Sequence, residues 1–280
     1  MKRLSRVPVP LLLAALVTLV APSARAAVRP TSSIVTQDAF LPAVHLVGAT
    51  GVFRTDVSIF NPQQTNVAVD LYFTPADTDG SSLPGLSISG GLNARETVTL
   101  VDILGDPGFF NRTNAYGILE VRSTGGAVIV TSNTYNIAGA VPGTYGQFSP
   151  GQPIEDSLGF DDSDAGDLYL PGLPFDADHR VNAVVINPSG VTLEAGVQLV
   201  DAVGNVLGKK TYTVPPYSMH QLNDILGAEF AQFGPTPGAA PYRLNAFVNL
   251  GNGAKILAYA TVTDKRTGDP YLITGLAQIR

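Results

Sequence analysis

Phe53-Arg54-Thr55-Asp56-Val57-Ser58-Ile59-Phe60-Asn61-Pro62 recurs without a gap as His179-Arg180-Val181-Asn182-Ala183-Val184-Val185-Ile186-Asn187-Pro188, 126 residues further along the chain. Each stretch ends on Asn-Pro, where proline supplies no ladder donor and asparagine closes a turn through its side chain, so each predicts a strand and its stop. The matches continue in the same order. Val101-Asp102-Ile103-Leu104-Gly105 answers to Asn223-Asp224-Ile225-Leu226-Gly227, Ala115-Tyr116 to Pro241-Tyr242, and Val128-Ile129-Val130 to Ile256-Leu257-Ala258. Offsets held between 122 and 128 residues mark two copies of one domain, each of independently folding size.

Within a copy the apolar period is two. In Val67-Ala68-Val69-Asp70-Leu71-Tyr72-Phe73 the odd positions are apolar, and Val197 and Leu199 continue the pattern in the second copy. Such runs are separated by turn clusters such as Asn61-Pro62-Gln63-Gln64, Asp79-Gly80-Ser81-Ser82, Thr124-Gly125-Gly126 and Asn252-Gly253. Short helices are expected only around Val101 to Asp106 and Asn223 to Phe230. The fold class that follows is all-β: two tandem immunoglobulin-like antiparallel β-sandwiches after a cleaved signal peptide.

Residues 1–26 read as that signal. Lys2, Arg3 and Arg6 precede an apolar run from Leu11 to Val20, and Ala24-Arg25-Ala26 forms a small-x-small cleavage site. The run is about ten residues, short of the roughly 20 that span a bilayer. Residues 27–37 form a polar N-terminal arm, 38–150 the first sandwich, 151–166 an acidic linker and 167–280 the second sandwich. The linker reading rests on Glu155, Asp156, Asp161, Asp162, Asp164 and the adjoining Asp167, whose mutual repulsion favours a solvated connector. The expected location is the periplasm or the extracellular space, with no membrane insertion of the mature chain.

Composition narrows the function. Of 280 residues 45% are hydrophobic and 14% charged, which excludes a disordered tail and a long coiled coil. The net charge is −6, and losing the four cations of residues 1–26 makes the remainder more acidic still. Nucleic acid and anionic membranes are disfavoured partners, because both need a basic face. With no cysteine, thiolate chemistry, sulfur metal sites and disulfides are absent.

The Phe-Arg-Thr-Asp and Phe-Asn-Pro elements of residues 53–62, Tyr145-Gly146-Gln147-Phe148, Gln221-Leu222-Asn223-Asp224-Ile225 and Thr267-Gly268-Asp269-Pro270 extend this picture. Together they resemble bacterial secreted proteins with paired immunoglobulin-like domains, a group with no assigned activity. The resemblance implies fold and export over nearly the whole mature chain, and it implies no catalytic residues.

Residues shared by both copies serve the shared fold. Arg54 and Arg180 read as strand-face arginines satisfied by Asp102 and Asp224, which in turn cap the short helices. Positions that differ between the copies are the binding candidates: Phe109 and Phe110 in the loop Pro107 to Arg112, then Tyr135 and Tyr145, with Phe148 adding aromatic surface. Against ligand contact stands the reading that Phe109 or Phe110 caps the open end of the sandwich. His45, His179 and His220 have no partner at metal-ligand spacing and no His-Glu-x-x-His, Gly-x-Ser-x-Gly or phosphate-loop motif occurs, so no enzyme is expected. No cofactor is expected beyond calcium, for which Asp162, Asp164 and Asp167 are weak ligand candidates without a closing glutamate. The expected function is an exported, non-enzymatic binding or structural protein that presents loops or strand edges to a protein or glycan at the cell envelope and is open to self-association. The alternative is a carbohydrate-active enzyme or accessory carbohydrate-binding protein with a site between the domains.

Overall fold

The computed structural model describes residues 35–48, 51–82, 87–137, 145–160, 166–239 and 241–279. The expected signal, residues 27–34 of the arm, and Asp161, Asp162 and Asp164 lie outside them. The described chain is all-β and every strand pairing is antiparallel. Among the described residues no helix is long and apolar enough to cross a membrane.

The first half contains β1 (Val35–Thr36), β2 (Asp38–Gly48), β3 (Gly51–Phe60), β4 (Val67–Pro75), β5 (Ser87–Leu92), β6 (Thr97–Leu100), β7 (Ala115–Thr124), β8 (Val128–Asn136), β9 (Tyr145–Pro150) and β10 (Gln152–Pro153). The second contains β11 (Gly166–Leu173), β12 (His179–Asn187), β13 (Leu193–Val200), β14 (Val206–Val214), β15 (Ser218–Leu222), β16 (Tyr242–Val248), β17 (Leu257–Asp264), β18 (Pro270–Thr274) and β19 (Leu276–Ile279). The order β10-β2-β7-β4-β5 is repeated as β19-β11-β16-β13-β14, and β6-β3-β8-β9 as β15-β12-β17-β18. The bridge from Leu158 to Ile256 repeats the pairing of Thr36 with Val128. Among the described residues the first half joins its two sheets, through β2, whose Leu46 to Gly48 turn onto β3, and the second half keeps them apart.

Alternation places one face of each sheet inside. In β4, Val67, Val69, Leu71 and Phe73 are buried while Ala68 is exposed. They meet Leu41, Val57, Ile59, Leu119 and Val130 in one core, and Leu168, Val181, Val197, Leu244 and Ala260 build its counterpart. The repeated asparagine locks both copies. Asn61 Nδ2 donates to the carbonyls of Thr65 and Asn93, at 2.8 Å each, and its Oδ1 accepts from the Gln63 amide. Asn187 does the same with Val191, Pro215 and Ser189. Both side chains are fully buried, so each amide replaces water for carbonyls that would otherwise go unpaired.

Several expectations are corrected. Residues 151–160 are not a solvated connector: Gln152 and Pro153 pair with β2, and Pro153, Ser157 and Leu158 are buried. Glu155 is exposed while Ile154 and Leu158 pack inward, so the segment is folded onto the cores. The end of the arm is likewise a strand, with Thr36 buried. Residues 101–105 form turns rather than a helix, and 225–229 a single π turn. Asp102 and Asp224 enter these turns with positive φ, 48° and 46°. Asp102 caps through its side chain, accepting the Gly105 amide, whereas Asp224 accepts through its main-chain carbonyl. Strand register also moves the Ala115-Tyr116 match by one residue. Leu119 and Leu244 are equivalent, so Tyr116 corresponds to Pro241 and Gly117 to the buried Tyr242.

A third apolar layer joins the halves. Phe40 of β2 and Ile118 of β7 lie against Val184 and Ile186 of β12, Met219 of β15 and Leu257 and Tyr259 of β17. Around it the Asp77 amide donates to the Met219 carbonyl at 3.0 Å and the Gly80 amide to Pro216 at 2.8 Å. His220 Nδ1 stands 2.7 Å from Asp77 Oδ1. Phe40 is fully buried in this layer, so Phe40→Ala is expected to cost about 3–5 kcal/mol. Calorimetry should then show one cooperative melting transition in the parent protein and two in the variant.

Candidate binding groove

Strands β9 and β18 occupy equivalent edges of the two halves, and the apolar layer brings those edges together. Each is paired on one side only, β9 to β8 and β18 to β17. Pro150 and Pro270 end and begin them, which suits an edge because proline has no donor to offer a further strand. Gln147 Nε2 donates across the junction to Thr261 Oγ1 at 3.1 Å. Between the edges lies an open groove of about 530 Å³, lined among others by Gln147, Phe148, Pro150, Tyr271, Leu272 and Thr274. Leu272 also packs against the inter-half layer, so the groove is continuous with the contact that creates it.

Two large apolar side chains remain open there. Phe148 is 62% exposed and Tyr271 48% exposed. By register Phe148 corresponds to Leu272 and Tyr271 to Gln147, so each aromatic belongs to one copy only. Partial burial, then the charge of Asp176, holds the Tyr271 hydroxyl above its ordinary range. Among the described residues no carboxylate lines the groove. Its chemistry is stacking, dispersion and hydrogen bonding through amide, hydroxyl and main chain.

The other aromatic candidates are distributed differently. Phe110 is 8% exposed, its ring centroid 5.9 Å from that of Phe73, and Phe109 packs half-buried on the same core. Phe110 is thus buried in the end of the first half rather than open to a ligand, with Phe109 half-buried beside it: the loop bends back through bonds from Phe110 N to Ile103 O and from Arg112 N to Leu104 O. Tyr135 is half-buried and donates to Asp56 Oδ1 at 3.1 Å. It thereby joins a polar network in which Asp56 accepts the Asp102 amide, and Asp102 holds His45 Nδ1 at 2.8 Å and Arg54 Nε at 3.4 Å. The tyrosine is therefore a framework residue. The side chain of Tyr145 lies outside the described residues, and its backbone pairs with Asn136. Asp167 is in β11, paired with Gln278, and no group of three or more metal-binding side chains occurs among the described residues.

Sequence reasoning reached Phe148 and missed Tyr271. A copy-to-copy comparison at the register above would have found both, since each replaces a non-aromatic residue of its counterpart. It also missed the histidine partners: every histidine faces an aspartate, His45 with Asp102, His179 with Asp176 and His220 with Asp77. Two of these pairs span 57 and 143 residues of chain, beyond any local motif.

A carboxylate cluster forms where β1, β2, β7 and residues 154–156 meet. Arg122 Nε donates to Glu120 Oε1 at 2.6 Å and its guanidinium lies 4.8 Å from the Tyr72 ring and 5.7 Å from that of Tyr217 in the second half. Thr36 donates to Glu155 Oε2 at 2.9 Å. Asp38 beside them keeps a buried Oδ1 without a hydrogen-bond partner. Burial first, then the charge and hydrogen bond of Glu120, push its carboxyl up to about 7, against the opposing pull of Arg122. The folded chain thus holds a proton that the unfolded chain, at 3.8, releases. Stability from this group is complete below the unfolded value and is lost as pH rises through about 7. Melting temperature is expected to fall between about pH 4 and pH 7, and Asp38→Asn should flatten that slope in a pH series of thermal melts.

No protein-family model matches this chain and no curated protein matches it, so the groove is read from its own chemistry.

Proposed function

We propose that this chain is an exported, non-enzymatic binding or structural protein whose ligand, a protein or glycan of the cell envelope, lies in the groove between β9 and β18. In this reading residues 1–26 are a cleaved signal, and the two halves are tandem immunoglobulin-like sandwiches like those of the secreted bacterial proteins that the sequence resembles. The repeated strand order supports the tandem fold. The carrying observation is the pair of exposed aromatics, Phe148 and Tyr271, held on opposite edges of one groove by a buried layer that keeps the edges in place. Solvent exposure of two such side chains costs stability unless a partner covers them, and rigid aromatics lose little entropy on binding.

The same aromatics favour a second reading, an accessory carbohydrate-binding protein with its site between the halves. Neutral sugars stack on such rings and hydrogen-bond to amides and hydroxyls of the kind supplied by Gln147 and Thr274. The described lining offers a sugar amide, hydroxyl and ring contacts.

The test is retention of envelope proteins and of soluble envelope glycans on the immobilised protein, compared with Phe148→Ala combined with Tyr271→Ala. Both side chains are exposed, so the melting temperature is expected to change little while retention is lost. Retention unchanged in the double variant moves binding elsewhere, and hydrolysis of the retained glycan overturns the non-enzymatic reading.

A further inference from the structure

The two halves guard their corresponding sheet edges in different ways. β14, the free edge of its sheet, carries Lys209 and Lys210. The segment 225–233 also covers it: Glu229 accepts from Lys210 Nζ at 3.1 Å and from the Tyr212 hydroxyl at 3.2 Å. Phe233 lies so close over Gly208 that a Cβ there would come within 2.4 Å of the ring. Lysines and a covering segment are the ordinary means of preventing a further strand from adding.

Among the described residues the equivalent edge β5 has neither. By register Ser87 and Ile88 stand where the second half has Lys209 and Lys210. Its sequence Ser87-Ile88-Ser89-Gly90-Gly91-Leu92 contains no charge, no proline and no bulge against β4. Ser87, Ser89, Gly90 and Gly91 are exposed. Among the described residues, Ser89 donates to Asp70 and Asn61 to the Leu92 carbonyl, both bonds lying within the first half. A Cβ on Gly90 would meet nothing within 4 Å.

We infer that β5 is a strand-addition edge and that its occupant is the β5 of a second copy of this chain. Residues directly opposed in an antiparallel pair share a face of the sheet. Ile88, Gly90 and Leu92 face the core, opposite Leu71, Val69 and Val67, while Ser89 and Gly91 face outward opposite Asp70 and Ala68. A twofold axis through Gly90 therefore sets Ile88 against Leu92 on the core side, Gly90 against Gly90, and Ser89 against Gly91 outside. The segment is its own complement, apolar meeting apolar and small meeting small, and the neutral edge brings no like charges together on an otherwise acidic chain. In the same arrangement at β14 Lys210 would stand against Val214, a charge against an apolar side chain. The product is one sheet running through both copies, closed by the twofold axis. It uses neither Phe148 nor Tyr271 and stands apart from the groove.

The test is sedimentation equilibrium of the purified protein over a concentration series, beside Ser89→Lys. Ser89 is exposed and next to Asp70, so lysine there is compatible with the fold, while the two new charges face each other diagonally across the axis. A concentration-dependent dimer weakened about tenfold or more by Ser89→Lys is expected. Because the chain has no cysteine, Gly90→Cys provides a second readout: it should oxidise to a reducible dimer, while Thr211→Cys on β14 stays monomeric. A parent protein monomeric throughout the series, a dimer indifferent to Ser89→Lys, or equal crosslinking at β14 overturns the inference.

Discussion

The layer formed by Phe40, Ile118, Val184, Ile186, Met219, Leu257 and Tyr259 decides how the rest of this molecule is arranged. It lies outside both sheet-to-sheet cores, on outer faces where alternation would ordinarily place polar residues. Burying those side chains removes apolar area from water and fixes one half against the other, which the hydrogen bonds from Asp77, Gly80 and His220 then direct. The groove between β9 and β18, the contact of Arg122 with Tyr217 and the crossing of Gln147 to Thr261 all exist because that layer is in place.

The layer is built from non-equivalent faces. The first half contributes the outer face of the β2-β7-β4 sheet, the second half that of β15-β12-β17. Such a head-to-tail contact between like domains could in principle be repeated without end, since each half retains the face its neighbour used. Substitution has closed both. Where the second half has Val184, Met219 and Tyr259, the first has Ser58, Thr97 and Thr131. Where the first has Phe40 and Ile118, the second has Tyr169 and Arg243, whose guanidinium lies 5.3 Å from the Tyr169 ring. The differences between the halves thus favour one junction and disfavour the two others that the repeated strand order would allow.

Backbone asparagines show the complementary pattern, in which nothing has diverged. Asn61 and Asn187 make the same bonds to the same relative carbonyls because a fully buried turn has no water to substitute for an amide. The titratable cluster around Asp38 shows what happens when burial is not matched so closely. Its second half counterpart places Asn245 and Phe247 where the first has Glu120 and Arg122. The charged cluster is thus particular to the half that carries the chain into residues 154–156.

The sequence alone determined the strands, their all-β class, the duplication and the turns at Asn61 and Asn187, because these depend on a period of two and on backbone chemistry local to a few residues. Phe148 was legible as an added aromatic, and the end-capping of Phe109 and Phe110 was one of two readings open to it. Only the tertiary structure decided that Ile154 and Leu158 fold the acidic segment onto the cores, that each histidine meets an aspartate, and that Phe148 and Tyr271 share a groove. Those contacts join residues tens to more than a hundred positions apart. Outer-face apolar residues such as Val184 and Ile186 read in sequence as ordinary buried strand. Whether they face a sheet or another half is fixed by docking, which the pattern of a single strand does not encode.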